Sequence, residues 1–426
     1  MYISDFALDD FRSYRHQVVR FAPGVCVLLG ANGQGKTNLV EAIAYLSRFS
    51  SHRASADTAL VRHSATGEQP GGAVVRAKVH THGRERVAEL EIVRGRANRA
   101  RLNRTAVAPK ELLGLVKTVV FAPEDLSLVR GEPGERRRFL DEVAAQLWPS
   151  HQLACSELER IARQRGALLK QLGKDRRSGR RVDTSTLDIF TDSFIELATQ
   201  VTVGRIRLVQ ELAETAKQYY YQVSDSEREL ICSYDFSAVK PLSEVALVDN
   251  ASLEQAVLND ADSFAQSMRQ ALERVREDEI WRGVNLVGPH RDDLSLYLDH
   301  LPVKGYASHG ESWSVALSLK LSSFQLLSEE VTGSVLSQVA NGDEDSSVQE
   351  LPILILDDVF AELDATRRRK LLDVVDKCQQ VFITAAVASD IPEGLSGHVY
   401  RVHLDAAEGS IIAPVEEVTQ GGAEGE

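Results

Sequence analysis

The stretch Gly30-Ala31-Asn32-Gly33-Gln34-Gly35-Lys36-Thr37 fits the pattern G-x-x-x-x-G-K-[ST]. Before it runs Val25-Cys26-Val27-Leu28-Leu29, an uninterrupted apolar segment that reads as a buried strand. After it, Asn38-Leu39-Val40-Glu41-Ala42-Ile43-Ala44-Tyr45-Leu46 places apolar residues at helical spacing. Strand, glycine loop and helix are the context a phosphate-binding loop requires. Several backbone N–H groups must face one phosphate, so the loop has to curl tightly, which Gly30, Gly33 and Gly35 permit. The helix N-terminus adds partial positive charge. Lys36 is expected to reach the β- and γ-phosphates, and the Thr37 hydroxyl to ligate Mg²⁺.

Bulk properties narrow the class. With 426 residues and 43% hydrophobic content, the chain can build two or three domains with full cores. No apolar run approaches the ~20 residues of a membrane span, and Met1-Tyr2-Ile3-Ser4-Asp5 has no features of a secretory signal. Cys26, Cys155, Cys232 and Cys378 are scattered without a C-x-x-C pair, which argues against a zinc knuckle or disulfide framework and for a reducing cytosol. The net charge of −13 taken alone argues against nucleic acid, but the charge is segregated.

Working outward, residues 1–24 read as two short strands leading into the phosphate-loop strand. Val74–His80 and Val87–Val93 alternate apolar and polar around Gly83, the pattern of an antiparallel hairpin, and this lobe is rich in arginine. Leu115–Phe121 is a further buried strand, stopped by Pro123. From Arg136 the texture is helical. Leu158, Ile161, Leu168 and Leu172, then Leu187, Phe194, Ala198, Val201, Leu208 and Leu212, repeat at three-to-four spacing on either side of a polar connector, Gly173–Thr186. This predicts an antiparallel helical hairpin, a short arm. Its first helix and tip carry Arg160, Arg163, Arg165, Lys170, Lys174, Arg176, Arg177, Arg180 and Arg181. That run is either a nucleic-acid surface or a solvated helix face. Ser252–Trp281 predicts one more helix, residues 341–347 an acidic surface loop, and the Gly/Glu-rich end a disordered tail. The expected boundaries are 1–134 for the first part of a head, 135–284 for the arm, 285–408 for the second part of the head and 409–426 for the tail.

The partner of the phosphate loop lies far downstream. Ile353-Leu354-Ile355-Leu356-Asp357-Asp358 describes a buried strand presenting Asp357 at its carboxyl end, where Mg²⁺ sits in phosphate-loop NTPases. Asp358 stands where a general base or water-orienting carboxylate is wanted. Between the two motifs, Tyr306-Ala307-Ser308-His309-Gly310-Glu311 precedes a long helix from Ser312 to Leu327, and a serine and glycine at a helix start form a second phosphate-binding surface.

In that order these blocks resemble the ABC-type ATPases. Ser308-His309-Gly310 resembles the signature motif, Ala361-Glu362-Leu363-Asp364 the D-loop, and Val381–Thr384 the strand ending at the switch position, where Thr384 or Ala385 replaces the usual histidine. The helical insertion between phosphate loop and Asp357 is the layout of the SMC/Rad50 class with a shorter arm. Within it the chain is similar to the RecF family of bacterial recombination mediators. The carrying residues are Leu8–Tyr14, Gly30–Asn38, Ser51–Arg53, Phe121–Leu126, Arg137–Asp141, Gly288–Leu294 and Leu356–Asp364. The resemblance implies an α/β fold, an ABC-type P-loop head with a mixed sheet and helices, plus the inserted arm. It implies ATP bound by Gly30 through Asn38 of one copy and capped by Ser308, Gly310 and Asp364 of another. Mg²⁺ would rest on Thr37 and Asp357, with Lys36, Asp357 and Asp358 acting in a slow, DNA-stimulated hydrolysis used as a switch. It further implies double-stranded DNA near single-strand gaps, cooperation with RecO and RecR in loading the recombinase, and a cytoplasmic protein. Arg176, Arg177, Arg180 and Arg181 are the candidate DNA contacts. For His290-Arg291 a structural turn and a catalytic role both stay open. A transporter-type ATPase subunit is the main competitor, disfavoured by the arm and by the missing switch histidine.

Overall fold

The chain opens with β1 (Tyr2–Phe11) and β2 (Tyr14–Arg20), an antiparallel pair whose inward residues Ile3, Phe6, Leu8, Phe11 and Tyr14 are fully buried. The next strand, β3 (Gly24–Leu29), delivers the chain into the glycine loop and α1 (Lys36–Arg48). The computed structural model describes residues 1–51, 53–54, 56–63, 69–180, 183–224, 226–238, 250–333, 351–392 and 395–415. The expected hairpin forms as β4 (Gly72–Thr81) and β5 (Arg84–Val93). Its two turn residues, His82 and Gly83, both have positive φ (48° and 65°), the geometry that matches the twist of a tight hairpin. Then follow β6 (Arg99–Leu102), β7 (Thr105–Val107) and β8 (Thr118–Phe121).

Residues Leu126–Leu319 form a separate compact unit. It contains α2 (Ser127–Arg130), α3 (Pro133–Leu147), the long α4 (Pro149–Arg177) and α5 (Ser185–Val223), and β9 (Leu230–Asp235). After these come α6 (Asn250–Asn259), α7 (Ala261–Arg282), β10 (Asp293–Leu298), β11 (Leu301–Pro302), the short α8 (Val303–Tyr306) and the start of α9 (His309–Gly333). The single helix expected over Ser252–Trp281 is two helices, because the Asp260 side chain accepts from Ser263 N at 2.9 Å and starts α7 afresh. The arm is more than a hairpin, since Ile280 of α7 packs with Leu169 and Leu172 of α4 and Leu187 of α5. The unit also extends past the expected end at 284 and takes in Ser308 and Gly310. Arg165 is not part of a basic surface. It is 2% exposed, with Nη1 and Nη2 donating to Glu279 at 3.1 and 2.6 Å and Nη1 to Asn285 Oδ1 at 2.6 Å. A buried guanidinium needs that full set of acceptors.

The other unit, Met1–Asp125 with Lys320–Glu426, is completed by β12 (Ile353–Asp357), α10 (Ala365–Val375), β13 (Gln380–Ala385), β14 (His398–Asp405) and β15 (Gly409–Pro414). Among the described residues its sheet runs β7-β6-β5-β4-β1-β2-β15-β14-β3-β13-β12-β8. The segment β14-β3-β13-β12-β8 is parallel and the remainder antiparallel, the mixed α/β sheet of an ABC-type head. One correction concerns the tail. Gly409–Pro414 is a strand, with Ser410 and Ile412 buried against the phosphate-loop side of the sheet, so disorder does not begin at 409. Its short apolar core, Ile411-Ile412, is hidden by the Gly/Glu composition around it. The acidic stretch 341–347, Arg181, His52 and residues 416–426 lie outside the described residues.

Candidate nucleotide site

Gly30 and Gly35 of the loop are demanded by its neighbours. A Cβ on Gly30 would sit 2.1 Å from Val402 O, and one on Gly35 would meet Ser410 Oγ at 2.3 Å while carrying a φ of +109°. The β14–β15 hairpin and the β1–β2 turn therefore close against the loop. Ser410 Oγ lies 2.7 Å from Gln34 O and 2.7 Å from Ser13 Oγ, and Asn38 Nδ2 donates to Ser13 Oγ at 2.8 Å. Tyr14 OH donates to Gly35 O at 3.0 Å, and Leu404 N to Gln34 Oε1 at 2.6 Å. Lys36 is buried, its ammonium donating to Gly30 O at 2.6 Å and Ala31 O at 3.3 Å, across the mouth of the loop.

Three of the sequence blocks converge behind α1. Glu41 is buried and takes both Arg12 Nε and Nη2, at 2.9 and 2.7 Å. Ser51 Oγ also donates to it, while Arg53 Nη1 donates to Asn38 Oδ1 at 3.1 Å and stands 3.7 Å from Glu41. Arg53 thus holds Asn38, the residue that follows Thr37, directly, and the buried Glu41 carboxylate links Arg53 to Arg12.

The second motif meets the first at the carboxyl ends of parallel strands. The Thr37 hydroxyl donates to Asp357 Oδ1 at 3.2 Å. In the parallel register Asp357 is paired with Thr384. The Thr384 hydroxyl donates to Asp357 Oδ1 at 2.7 Å, stands 3.2 Å from Asp358 Oδ1 and accepts Asp358 N at 2.9 Å. Asp358 is held in the left-handed region, φ 50°, which turns it out of the strand. Burial raises the Asp357 carboxyl to about 6, with the charges of Asp358 and Glu124 adding to the rise and the two threonine hydroxyls opposing it. A buried carboxylate oxygen and a hydroxyl within 3.2 Å of each other are the hard donors that suit Mg²⁺. Of Thr384 and Ala385, the two residues expected near the switch position, Thr384 is the one that touches both carboxylates. Sequence reading located that position without giving it a role, because its bonds run to residues 26 and 27 positions away. Ser13 and Ser410 were missed for the same reason.

The remaining candidates are placed as follows. Ser308 N donates to Glu311 Oε2 at 2.8 Å, and Glu311 N to Ser308 Oγ at 3.2 Å, a reciprocal capping box at the start of α9. The S-x-x-E spacing was the signal for it. Arg228 Nη1 holds the other Glu311 oxygen at 3.1 Å. Ser308 is exposed and Gly310 half-buried. Asp364 is exposed, caps α10 by accepting Arg367 N at 2.9 Å and pairs with the Arg367 guanidinium. His290 Nε2 and Arg291 Nη2 both meet Asn285 O, at 3.2 and 3.3 Å, which makes the pair part of a turn closed by Gly288 at φ +133°. The acids after them face inward. Asp292 accepts Tyr234 OH at 2.9 Å and Ser237 N at 2.7 Å, and Asp293 takes both Arg136 Nε and Nη2, at 2.8 and 2.7 Å. At the arm tip Arg176 pairs with Glu277, Arg177 Nη1 donates to Trp281 O at 3.0 Å, and Arg180 reaches Asp175 at 3.3 Å.

Residues 2–404 match the RecF/RecN/SMC N terminal domain family. A DNA replication and repair protein RecF from Beutenbergia cavernae is 46% identical over 416 residues, covering 97% of this chain and 99% of the relative. The chain belongs to the RecF family. The Kineococcus radiotolerans protein of the same name is 43% identical, over 95% of this chain and 98% of its own. A solved structure described as the recombination mediator protein RecF-ATP in the RecFOR pathway superposes with a TM-score of 0.77 at 25% identity, covering 97% of this chain and 98% of that one. The fold is therefore the ABC-type head with an inserted helical arm. Among the described residues no helix is long and apolar enough to cross a membrane.

Proposed function

We propose that the protein is an ATP-gated DNA clamp of replication-coupled repair, acting as a cytoplasmic homodimer. The single observation that carries this reading is the convergence of Thr37, Asp357, Asp358 and Thr384 at the mouth of the glycine loop. Lys36 exchanges its bonds to Gly30 O and Ala31 O for the β- and γ-phosphates of ATP. Thr37 and Asp357 would hold Mg²⁺, which supplies charge neutralisation at the phosphates. Asp358, positioned by Thr384, orients the attacking water. Ser308, Gly310 and Asp364 of a second copy cap the nucleotide, so dimer stability is linked to ATP. Closure follows from the difference in ATP affinity between monomer and dimer. Hydrolysis opens the dimer and frees the DNA. Contacts through arginines at the arm tip, Arg176, Arg177, Arg180 and Arg181, are with phosphates, hence salt-dependent. The ATP-bound relative of the RecFOR pathway supports ATP as cofactor and RecO and RecR as partners, with which this protein would load the recombinase near single-strand gaps.

The test is the mass in solution of the Asp358→Asn protein with and without ATP·Mg²⁺. A dimer formed only with ATP is expected. A monomer in both conditions with nucleotide bound would reduce Ser308–Gly310 to an ordinary helix start and remove the gating step.

A further inference from the structure

The three tryptophans of the chain differ sharply in surroundings. Trp313 is 4% exposed, and Trp148 is half-buried with the Arg207 guanidinium 4.5 Å from its ring centroid. Trp281, at the end of α7, is 60% exposed. A large indole left in water at the tip of an arm forgoes the free energy of burial, and its position is fixed tightly. A Cβ on Gly173 would lie 2.3 Å from Ile280 O, so α4 and the last turn of α7 approach at backbone contact. Ile280 itself is buried with Leu169, Leu172 and Leu187. The Arg177 guanidinium stands 6.0 Å from the Trp281 ring centroid, tied by its bond to Trp281 O. Lys170, Lys174 and Arg177 follow at i, i+4 and i+7, one exposed face of α4 that leads to the ring.

A flat apolar ring beside a line of cations fits a ligand that is flat, apolar and anionic at once. A nucleobase on its phosphodiester strand has that chemistry. Duplex DNA offers phosphates outward but keeps its base faces stacked inside, so a base free to lie on Trp281 belongs to an unpaired strand. We infer that Trp281 and Arg177 form a stacking platform for an unpaired nucleotide. The arm tip then distinguishes single-stranded DNA from duplex. This rests on the reading that the arm meets DNA, and extends it from phosphate contact to base contact.

The full-length protein with ATP·Mg²⁺ tests it by fluorescence anisotropy against a labelled oligothymidylate and a blunt duplex of equal length at one salt concentration. Trp281→Ala should weaken oligothymidylate binding about tenfold and leave the duplex within twofold, as loss of one stacked base predicts. Trp281→Phe should restore most of the affinity, and the indole quenching seen with oligothymidylate should vanish in both variants. Unchanged oligothymidylate binding in Trp281→Ala, with duplex binding intact, overturns the inference, spares the clamp reading and leaves the patch to an acidic protein segment. Equal weakening on both DNAs also overturns it. Failure of the wild-type protein to bind either DNA refutes the clamp reading itself.

Discussion

Asp357 is 4% exposed and its hydrogen-bond partners are neutral hydroxyls, so the nucleotide-free protein carries a strained charge. Its carboxyl rises from 3.8 to about 6, chiefly through burial. For an acid whose folded pKa exceeds its unfolded one, the folded state binds the proton more readily, and stability falls as pH rises between the two values. The penalty is absent below about pH 3.8 and complete above about 6. A shift of roughly two units corresponds to ~3 kcal/mol. Asp357→Asn keeps the shape and removes the charge, so the nucleotide-free variant should be more stable than the parent at pH 8. At ~2–4 °C per kcal/mol for a unit of this size, the melting midpoint should rise by about 5 °C or more. Near pH 5, where the unfolded carboxyl is already ionised and the folded one is not, the advantage should shrink to about half. ATP·Mg²⁺ at ~1,000 times its Kd should reverse the ranking, since it adds about 4.1 kcal/mol to the parent and little to the variant. Differential scanning calorimetry at pH 5 and 8, with and without ATP·Mg²⁺, reads all of these. A nucleotide-free variant that melts at or below the parent at pH 8, or an advantage independent of pH, would show that the Asp357 charge is well solvated and would refute the argument.

Three further outcomes follow from the same geometry. Thr384→Val removes one hydroxyl from both carboxylates, so the Asp357 pKa should rise further and ATP·Mg²⁺ affinity should fall several-fold at pH 6.5 and less at pH 8.5; a fluorescent-nucleotide titration that finds no pH-dependent loss assigns Thr384 to packing alone. Ser308→Arg should abolish ATP-dependent dimerisation with nucleotide affinity within twofold, while Ser308→Asn, which preserves a helix cap worth ~1 kcal/mol, serves as the folding control; loss of nucleotide binding in the arginine variant contradicts the capping role in trans. Replacing Arg176, Arg177, Arg180 and Arg181 by Ala should lower the slope of log affinity against log salt for duplex DNA by about 2 to 4, given ~0.9 per phosphate contact, and an unchanged slope returns the arm tip to a solvated face.

What the sequence disclosed, and what it hid, follows from how far each signal reaches. The parallel strands β3 and β12 were legible because each is a continuous apolar run that ends before a chemically marked residue, Leu29 before Gly30 and Leu356 before Asp357, whereas β14, interrupted by Arg401 and His403, was not. The arm helices were legible by period, but the guanidinium of Arg165 looked like surface charge. Its acceptor Glu279 lies 114 positions away, and nothing local marks a buried arginine. The strand β15 was lost for a compositional reason, and with it Ser410, whose contact with the loop spans 376 residues. Local pattern therefore named the groups that meet at the mouth of the glycine loop, while the groups that hold them in place come from pairing across the sheet.

Ser308 shows how one local signal can serve a helix cap and a proposed phosphate contact together. Its hydroxyl oxygen accepts Glu311 N and its backbone N–H donates to the Glu311 carboxylate, which is what an isolated helix start requires. A hydroxyl that accepts in a cap still has its own proton to donate. The capping box therefore leaves Ser308 able to meet a phosphate oxygen. The difficulty is Glu311, whose negative charge at the same helix end opposes an incoming phosphate. Arg228 offsets part of that charge by holding Glu311 Oε1 at 3.1 Å, Asp299 Oδ2 at 3.3 Å and backbone Leu298 O at 2.9 Å, which fixes the direction of the Glu311 carboxylate. Hydrogen bonds from Ser308 and Arg228 hold the Glu311 carboxyl below its ordinary value, so it stays ionised and the cap stays closed across the neutral range. On the proposed reading, a phosphate arriving at this helix start meets a Glu311 charge already partly offset by Arg228.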